Sequence, residues 1–591
     1  MDIEWLSEEL AVATGAVATG ILRDGDRAVL FDCDDAVTPG MLASIGIRHV
    51  DWIFSTQPRR PNLAGARKLI EAGAKLVVGK GAGWLLEKPA DYWNAWTYRW
   101  ENFKQQPVPE VPVEPLAAAR EVEGTETMQW RGHTIEILAG LAPIMGSAAY
   151  LVASGGKRIC FSGDYIYAPG QFYQLHAFQA DYLDCCSFSD RRKTVETTLQ
   201  KLRDARPSVI VPSHGTIMRE ADSAIEMTLQ RCAELRETYQ QTLRSEEMYT
   251  ELPHWAKRIP NTTTLYIVSE SGDAVVIDCG DDRLITAFTA LRNEKKIRTI
   301  DQIYLTHYHQ DHCWGTGHLY FTFPQAQVIA DERVVDILRF PHRYRMPCLP
   351  HRRAPVTRVV KDGETWQWNE FKLTNYYFPG QTLYHSALLV EGHGQKILFT
   401  GDSFGSGLWL VDYCAANRML VGEDEGYFRC LRRLREIQPD FICDAHNRDT
   451  FRWTKEQLDF KEQAFTRRVR LLEKMLPWEH PSFGLDEGWI RTYPYEQDAG
   501  AGAAVRIDVV FWNHGGKAAT AEARPELPEG WRLLEKESEM RVQIAPRSEG
   551  AVRLIVGIPA GAKEGQVVVP INVRWNDKTL GSIRDALVRV W

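Results

Sequence analysis

Seven consecutive residues concentrate the chemistry of this 591-residue chain: Thr306-His307-Tyr308-His309-Gln310-Asp311-His312. They follow Asp301-Gln302-Ile303-Tyr304-Leu305, an apolar run of strand character. Side chains on an extended chain repeat every two residues, so continuation past Leu305 brings His307 and His309 to one side, with Asp311 next in register. If the chain then turns into a helix, Asp311 and His312 diverge from the first pair and face a second point nearby. Imidazole with carboxylate is a donor set for zinc and other first-row ions, and two ions sharing an attacking oxygen sit ~3.5–4 Å apart. A histidine-rich surface loop would account for single histidines, but not for this concentration of donors directly after a strand.

The elements that must position such a cluster announce themselves twice. Ala28-Val29-Leu30-Phe31-Asp32-Cys33-Asp34 and Ala274-Val275-Val276-Ile277-Asp278-Cys279-Gly280 both read as strands ending in acids, and each leads through an apolar segment to a threonine, Thr56 or Thr306. After Thr56 comes Gln57-Pro58-Arg59-Arg60-Pro61-Asn62, which puts poor metal ligands where the later stretch has its histidines and acid. From Glu126 to Asp164 the chain aligns without a gap on Glu364 to Asp402, with 12 identities in 39 positions. Both stretches end alike, Ser162-Gly163-Asp164 and Thr400-Gly401-Asp402, and both proceed to a strand and a histidine, His214 or His446. The pattern is that of a tandem duplication whose first copy has lost its metal.

Each copy should close on a core-facing helix. Ile225, Leu229, Cys232, Leu235, Tyr239 and Leu243 recur at helical spacing, as do Phe465, Val469, Leu472 and Leu476 behind a Thr454-x-x-Gln457 capping box. Pro253 and Pro477 lie just beyond them and place boundaries near 245 and 480. From about 485 the texture changes to short alternating strands such as Val505-Arg506-Ile507-Asp508-Val509, which reads as an immunoglobulin-like β-sandwich. Three domains are therefore expected, at 1–245, 246–480 and 481–591.

The cluster resembles the H-x-H-x-D-H signature of the metallo-β-lactamase superfamily. That resemblance implies an α/β architecture, here two tandem αββα sandwiches followed by the all-β module, and it implies a ligand set. His307 and His309 would hold one ion, Asp311 and His312 the other, Asp402 would bridge, and His446 would complete the second site. One position departs from the family pattern: where Pro-Gly-His-Thr is expected, the chain has Pro379-Gly380-Gln381-Thr382. An amide oxygen is a weaker, harder ligand than imidazole, so the first site would be low in affinity, hold an unusual metal, or be completed by His385. His385 could equally support a ligand from behind or touch substrate. The implied cofactor is zinc, as one or two ions, with iron or manganese as alternatives.

The resemblance further implies a metallo-hydrolase in which metal-bound hydroxide cleaves an ester, lactone, thioester or phosphoester, with Asp402 or Asp311 orienting the nucleophile. Tyr308, Tyr384 and His385 are the nearest candidates to protonate the leaving group. An iron-dependent oxidoreductase on the same fold and a non-catalytic, metal-stabilised scaffold are the competing readings. The last hundred residues, with Leu527-Pro528-Glu529-Gly530-Trp531, are similar to a module appended to some bacterial glycosidases, for which a spacer or interaction role is expected.

Composition narrows the partners. With 44% hydrophobic and 25% charged residues and a net charge of −8, the chain is globular material with no global positive field to draw nucleic acid or anionic lipid. No apolar run reaches ~18 residues and Met1-Asp2-Ile3-Glu4-Trp5 lacks signal-peptide character, so a soluble, cytoplasmic protein is expected. The 11 cysteines, even the adjacent Cys185-Cys186, form no CxxC pair and suggest no disulfide framework. Between Asp336 and Asp362 there is no acid, only Arg339, Arg343, Arg345, Arg352, Arg353, Arg358 and Lys361 interleaved with prolines. Such a loop would either grip an anionic small-molecule substrate or dock on the acidic metal-free copy. Gln381, Arg343, Arg345 and Tyr308 are the substrate-contact candidates, and the sequence does not fix an oligomeric state.

Overall fold

The computed structural model describes residues 2–95, 110–141, 144–173, 194–242, 248–346, 348–404, 417–422, 424–446, 450–477, 486, 488–534 and 536–591. The chain forms two compact units, one running to Arg236 and again from Leu471 to Trp591, the other from Glu237 to Arg470. The C-terminal strands thus belong to the same unit as the first quarter of the chain.

In the second unit, a six-stranded sheet takes the order Ala256–Arg258, Leu265–Val268, Asp273–Ile277, Thr299–Leu305, Gln327–Asp331 and Arg358–Val360. Its first three strands pair antiparallel and the rest parallel, as crossover helices require. Alternation along Thr299–Leu305 sorts its two faces. Ile303 and Leu305 pack among the helix residues Leu284, Phe288, Leu319 and Ile337. Tyr304 points the other way, into a core with Leu373, Leu388, Val390 and Phe399 from a second sheet. That sheet runs Met248–Thr250, Thr450–Arg452, Phe441–Asp444, Gln395–Gly401, Ser386–Gly392, Phe371–Tyr377 and Thr365–Trp368. The buried Tyr304 hydroxyl lies 2.6 Å from Asn375 Oδ1 and 2.9 Å from Ser386 Oγ, so the polar tip carried into the core is satisfied across the sheets. The helix Lys455–Met475 begins with the expected capping box: Gln457 Oε1 accepts from Thr454 N at 2.9 Å, and Thr454 Oγ1 from Gln457 N at 3.2 Å.

In the first unit, strands His49–Phe54, Arg27–Phe31, Ala18–Asp24 and Lys75–Gly79 belong to a seven-stranded sheet. A five-stranded sheet runs Val209–Pro212, Lys157–Gly163, Ser147–Ser154, His133–Leu141 and Thr125–Trp130. Local details repeat between the units. Asp32 and Asp278 both follow a strand with positive φ, 59° and 61°. Trp130 Nε1 donates to Asp51 Oδ2 at 2.9 Å, and Trp368 Nε1 to Asp301 Oδ2 at 3.1 Å. The helix Ala221–Thr242 carries Ile225, Cys232 and Leu235 into the core, while the expected Leu243 lies outside the described residues.

The C-terminal strands make a sheet of four (Ile490–Tyr493, Ala504–Trp512, Glu549–Gly557, Arg532–Leu533) and one of five. Val505, Ile507, Val509 and Phe511 alternate into the core they share with Val569, Ile571 and Val573. Arg60 ties this module to the two N-terminal sheets of the same unit, the first lobe (the second unit being the second lobe): its guanidinium pairs with Asp585 at 2.9 Å and donates through Nε to Ser582 O at 2.8 Å, with side-chain exposures of 7% and 0% for the pair. No helix among the described residues is long and apolar enough to cross a membrane.

Candidate metal centre

The strand Thr299–Leu305 ends where the donors begin. Thr306 is locked by Asp278, whose Oδ1 accepts its N–H at 2.8 Å and whose Oδ2 accepts its hydroxyl at 2.9 Å. Thr306 Oγ1 also lies 2.9 Å from His307 Nδ1. His309 keeps extended backbone, φ −57° and ψ 142°, and caps the short helix Gln310–Cys313. The chain therefore stays extended through His309 and turns as the alternation of ligand directions requires. The turn needs close backbone approach: a Cβ on Gly280 would fall 1.5 Å from Asp311 O, so only glycine fits there.

Two donor groups result. His307, His309 and Asp402 offer donor atoms within 4.8 Å of one another, and so do Asp311, His312, Asp402 and His446. Asp402 belongs to both. Its Oδ1 lies 3.1 Å from His312 Nε2 and 3.2 Å from His446 Nε2, and its Oδ2 lies 3.9 Å from His307 Nε2. Gly401, at φ 52°, gives the strand end its turn, and Ala445 N donates to its carbonyl at 3.0 Å, which brings the His446 corner alongside.

The donor set fits a first-row dication. Buried polar groups normally have hydrogen-bond partners, yet the Nε2 atoms of His307 and His312 are fully buried and make no hydrogen bond among the described residues. Each has its Nδ1 held by a neighbour, Thr306 or Asp278, which leaves Nε2 as the atom turned toward the cluster. Electrostatics agree with this. Burial holds His307 well below the ordinary imidazole value and lowers His309 to about 4, so both are neutral donors at pH 7. Burial opposes a charge on His312 as well, but the carboxylates of Asp402, Asp311 and Asp278 outweigh it and hold that imidazole well above its ordinary value. The Asp402 carboxylate pushes His446 up to about 10. Burial alone would raise Asp402, but His312 and His446 hold it well below the carboxylate range. Positive charge is thus concentrated where cations would sit.

A model of the metallo-beta-lactamase superfamily matches residues 258–446, from Arg258 through the last donor, His446. Residues 258–446 are thus similar to the metallo-β-lactamase superfamily. Similar solved structures include the metallo-β-lactamase MIM-1 from Novosphingobium pentaromativorans, at 14% identity over 41% of this chain and 92% of that one, with a TM-score of 0.32. BJP-1, a subclass B3 metallo-β-lactamase of Bradyrhizobium japonicum, is 18% identical over 36% and 87% of the two chains, with a TM-score of 0.28. LRA-12, a class B3 di-zinc enzyme from an Alaskan soil metagenome, is 13% identical over 41% and 94%, with a TM-score of 0.31.

Within residues 258–446 the remaining candidates take distinct places. Gln381 Nε2 lies 3.1 Å from Asp402 Oδ2, so the amide stands beside the shared carboxylate. His385 joins neither donor group. Its ring stacks on His307 at 4.5 Å, its Nε2 faces Asp402 N at 3.4 Å and its Nδ1 faces Ser403 Oγ at 3.2 Å, so both nitrogens are engaged behind the ligands. Tyr308 is fully buried among the helix-side core, because the same alternation that turns His307 and His309 inward turns it outward from the site. Arg343 stands 3.9 Å from Asp336 and over the Phe340 ring at 4.0 Å, packed on its own loop. Arg345 is half-buried on the same loop. That loop touches the cluster through its backbone, Gln310 N donating to Cys348 O at 3.1 Å. Sequence reasoning gave no role to Asp278, which orients both Thr306 and His312, although the repeated strand-plus-acid ending was its signal.

Proposed function

We propose that the chain is a metal-dependent hydrolase that cleaves an ester, lactone, thioester or phosphoester of a small, anionic molecule, with zinc as the cofactor. The observation that carries this reading is the sharing of Asp402 between two donor groups. His307, His309 and Asp402 would hold one ion, and Asp311, His312, Asp402 and His446 the other. Bound there, such ions supply Lewis acidity toward a carbonyl or phosphoryl oxygen and acidify a water.

The chain's own residues have separable tasks. Asp278 and Thr306 fix the tautomers of His312 and His307, and a neutral His309 offers its second nitrogen without competition from a proton. His385 buttresses His307 and the Asp402 backbone and is a positioning residue. Gln381 restrains Asp402 and stands where a third imidazole would strengthen the first site. The repeated Asp–Thr locks, Trp–Asp bonds and strand pattern support a tandem duplication with a metal-free first copy. The two-sheet C-terminal module supports an immunoglobulin-like spacer, and a cytoplasmic setting suits the free cysteines.

The test is hydrolysis of an ester, lactone, thioester and phosphoester panel by zinc-loaded wild type and His309→Ala. Turnover of at least one class by wild type, lost in the variant, is expected. No turnover of any class by fully loaded wild type would overturn the hydrolase reading.

A further inference from the structure

The first lobe holds a buried cation of its own in the place where the second has imidazole. Counted from Thr56 and Thr306, the positions of His307, His309 and His312 are taken by Gln57, Arg59 and Asn62. The scaffolding around them is equivalent: Asp32 accepts from Thr56 N and Thr56 Oγ1, each at 2.7 Å, and from Asn62 Nδ2 at 3.0 Å, as Asp278 does from Thr306 and His312. Among the described residues no group of metal-type donors forms in this lobe.

The Asp164 carboxylate, which stands where the second lobe has Asp402, is saturated. Its Oδ1 meets His214 Nδ1 at 2.8 Å, and its Oδ2 lies 3.3 Å from Arg59 Nη1. The Gln57 amide, oriented with its nitrogen toward Oδ2, donates to it at 2.8 Å and accepts the Asp164 N–H at 3.2 Å. Tyr173 stacks flat on the His214 ring at 3.9 Å. The guanidinium is not saturated. Arg59 is 1% exposed, and its Nε and Nη2 atoms have no hydrogen-bond partner among the described residues. Those two donors share one edge of the planar fork, the edge that takes both oxygens of a carboxylate or phosphoryl group in parallel. A guanidinium cannot shed its charge to escape burial, and buried charged donors are normally paired.

We propose that the first lobe is a metal-free oxyanion site, in which the Nε–Nη2 edge of Arg59 binds a small anion bearing two neighbouring oxygens while Nη1 stays on Asp164. The duplicated site would then have exchanged a metal dication for a fixed guanidinium, and hydrolysis for recognition of an anion.

The test is calorimetric titration of chelator-treated, full-length protein with sodium acetate and, separately, with inorganic phosphate, against sodium chloride at matched ionic strength. Wild type is expected to bind one equivalent of one of the two, and the one bound identifies a carboxylate or a phosphoryl site. Arg59→Lys keeps a cation beside Asp164 but lacks the fork, so its affinity is expected to fall at least tenfold. Equal binding by that variant would place the anion elsewhere, and no saturable binding of either anion by wild type would mean that water satisfies the donors; either result overturns the proposal. A wild-type crystal grown with the bound anion gives a readout that needs no variant: density bridging Nε and Nη2 supports the site, and water alone refutes it.

Discussion

Asp278 Oδ2 and His312 Nδ1 meet at 2.8 Å, and this contact decides which nitrogen of a fully buried imidazole faces the metal centre. The same carboxylate holds the N–H and the hydroxyl of Thr306, so one acid at the end of a strand orients ligands on both sides of the cluster. Asp278→Ala is expected to weaken zinc binding roughly 10–100-fold, the usual loss when a partner of a ligating histidine is removed. Competition against a fluorescent chelator measures it; unchanged affinity would mean that the backbone alone sets the ring.

Gln381 stands 3.1 Å from the carboxylate common to both donor groups. Gln381→His supplies a third imidazole to the group formed by His307, His309 and Asp402, and imidazole outranks an amide oxygen as a zinc donor. The weaker of two zinc sites is expected to tighten by about tenfold or more. Titration with zinc in a chelator buffer would show it, and a looser site in the variant would count against the placement.

Metal uptake should be visible as proton release. His446 is pushed up to about 10 by Asp402, and His312 is held well above its ordinary value, so both carry a proton at pH 7 before a cation arrives. Ligation requires the neutral imidazole, so zinc binding releases these protons, and apparent affinity rises with pH below the raised values. Calorimetry in two buffers of different ionisation enthalpy reads the number released. Zero release would show that the histidines are neutral beforehand.

Arg60 and Asp585 form a buried pair between the first lobe and the C-terminal module. Asp585 also accepts from the Tyr495 hydroxyl at 2.8 Å, and removing the guanidinium takes the charged partner from this buried carboxylate. Arg60→Met is expected to cost about 3–5 kcal/mol of stability by breaking one side of a buried pair. Urea unfolding followed by tryptophan fluorescence tests this, and a midpoint within error of wild type would contradict it.

Much of the centre was legible because its first four ligands are sequence neighbours. A strand followed by His307, His309, Asp311 and His312 fixes ligand directions through local backbone geometry alone, and the structure keeps that extended-then-helical path. Asp402 and His446 came only through the family resemblance, since a turn acid and a strand-end histidine carry no local mark of a metal. Part of the basic loop's charge is met by acids outside it. Between Asp336 and Asp362 no acid appears, yet Asp336 itself, one step upstream, takes Arg343, and Asp282 takes Arg352 at 3.0 Å. The Arg60–Asp585 contact was not legible at all, because nothing local in either segment announces a partner more than five hundred residues away.

The most direct measurement is zinc per chain by elemental analysis after loading and gel filtration, on wild type and Asp402→Ala side by side. Because Asp402 belongs to both donor groups, wild type is predicted to retain stoichiometric zinc and the variant to lose it from both. A wild type that holds no stoichiometric metal, or a variant that holds as much as wild type, would contradict a centre built on that shared carboxylate.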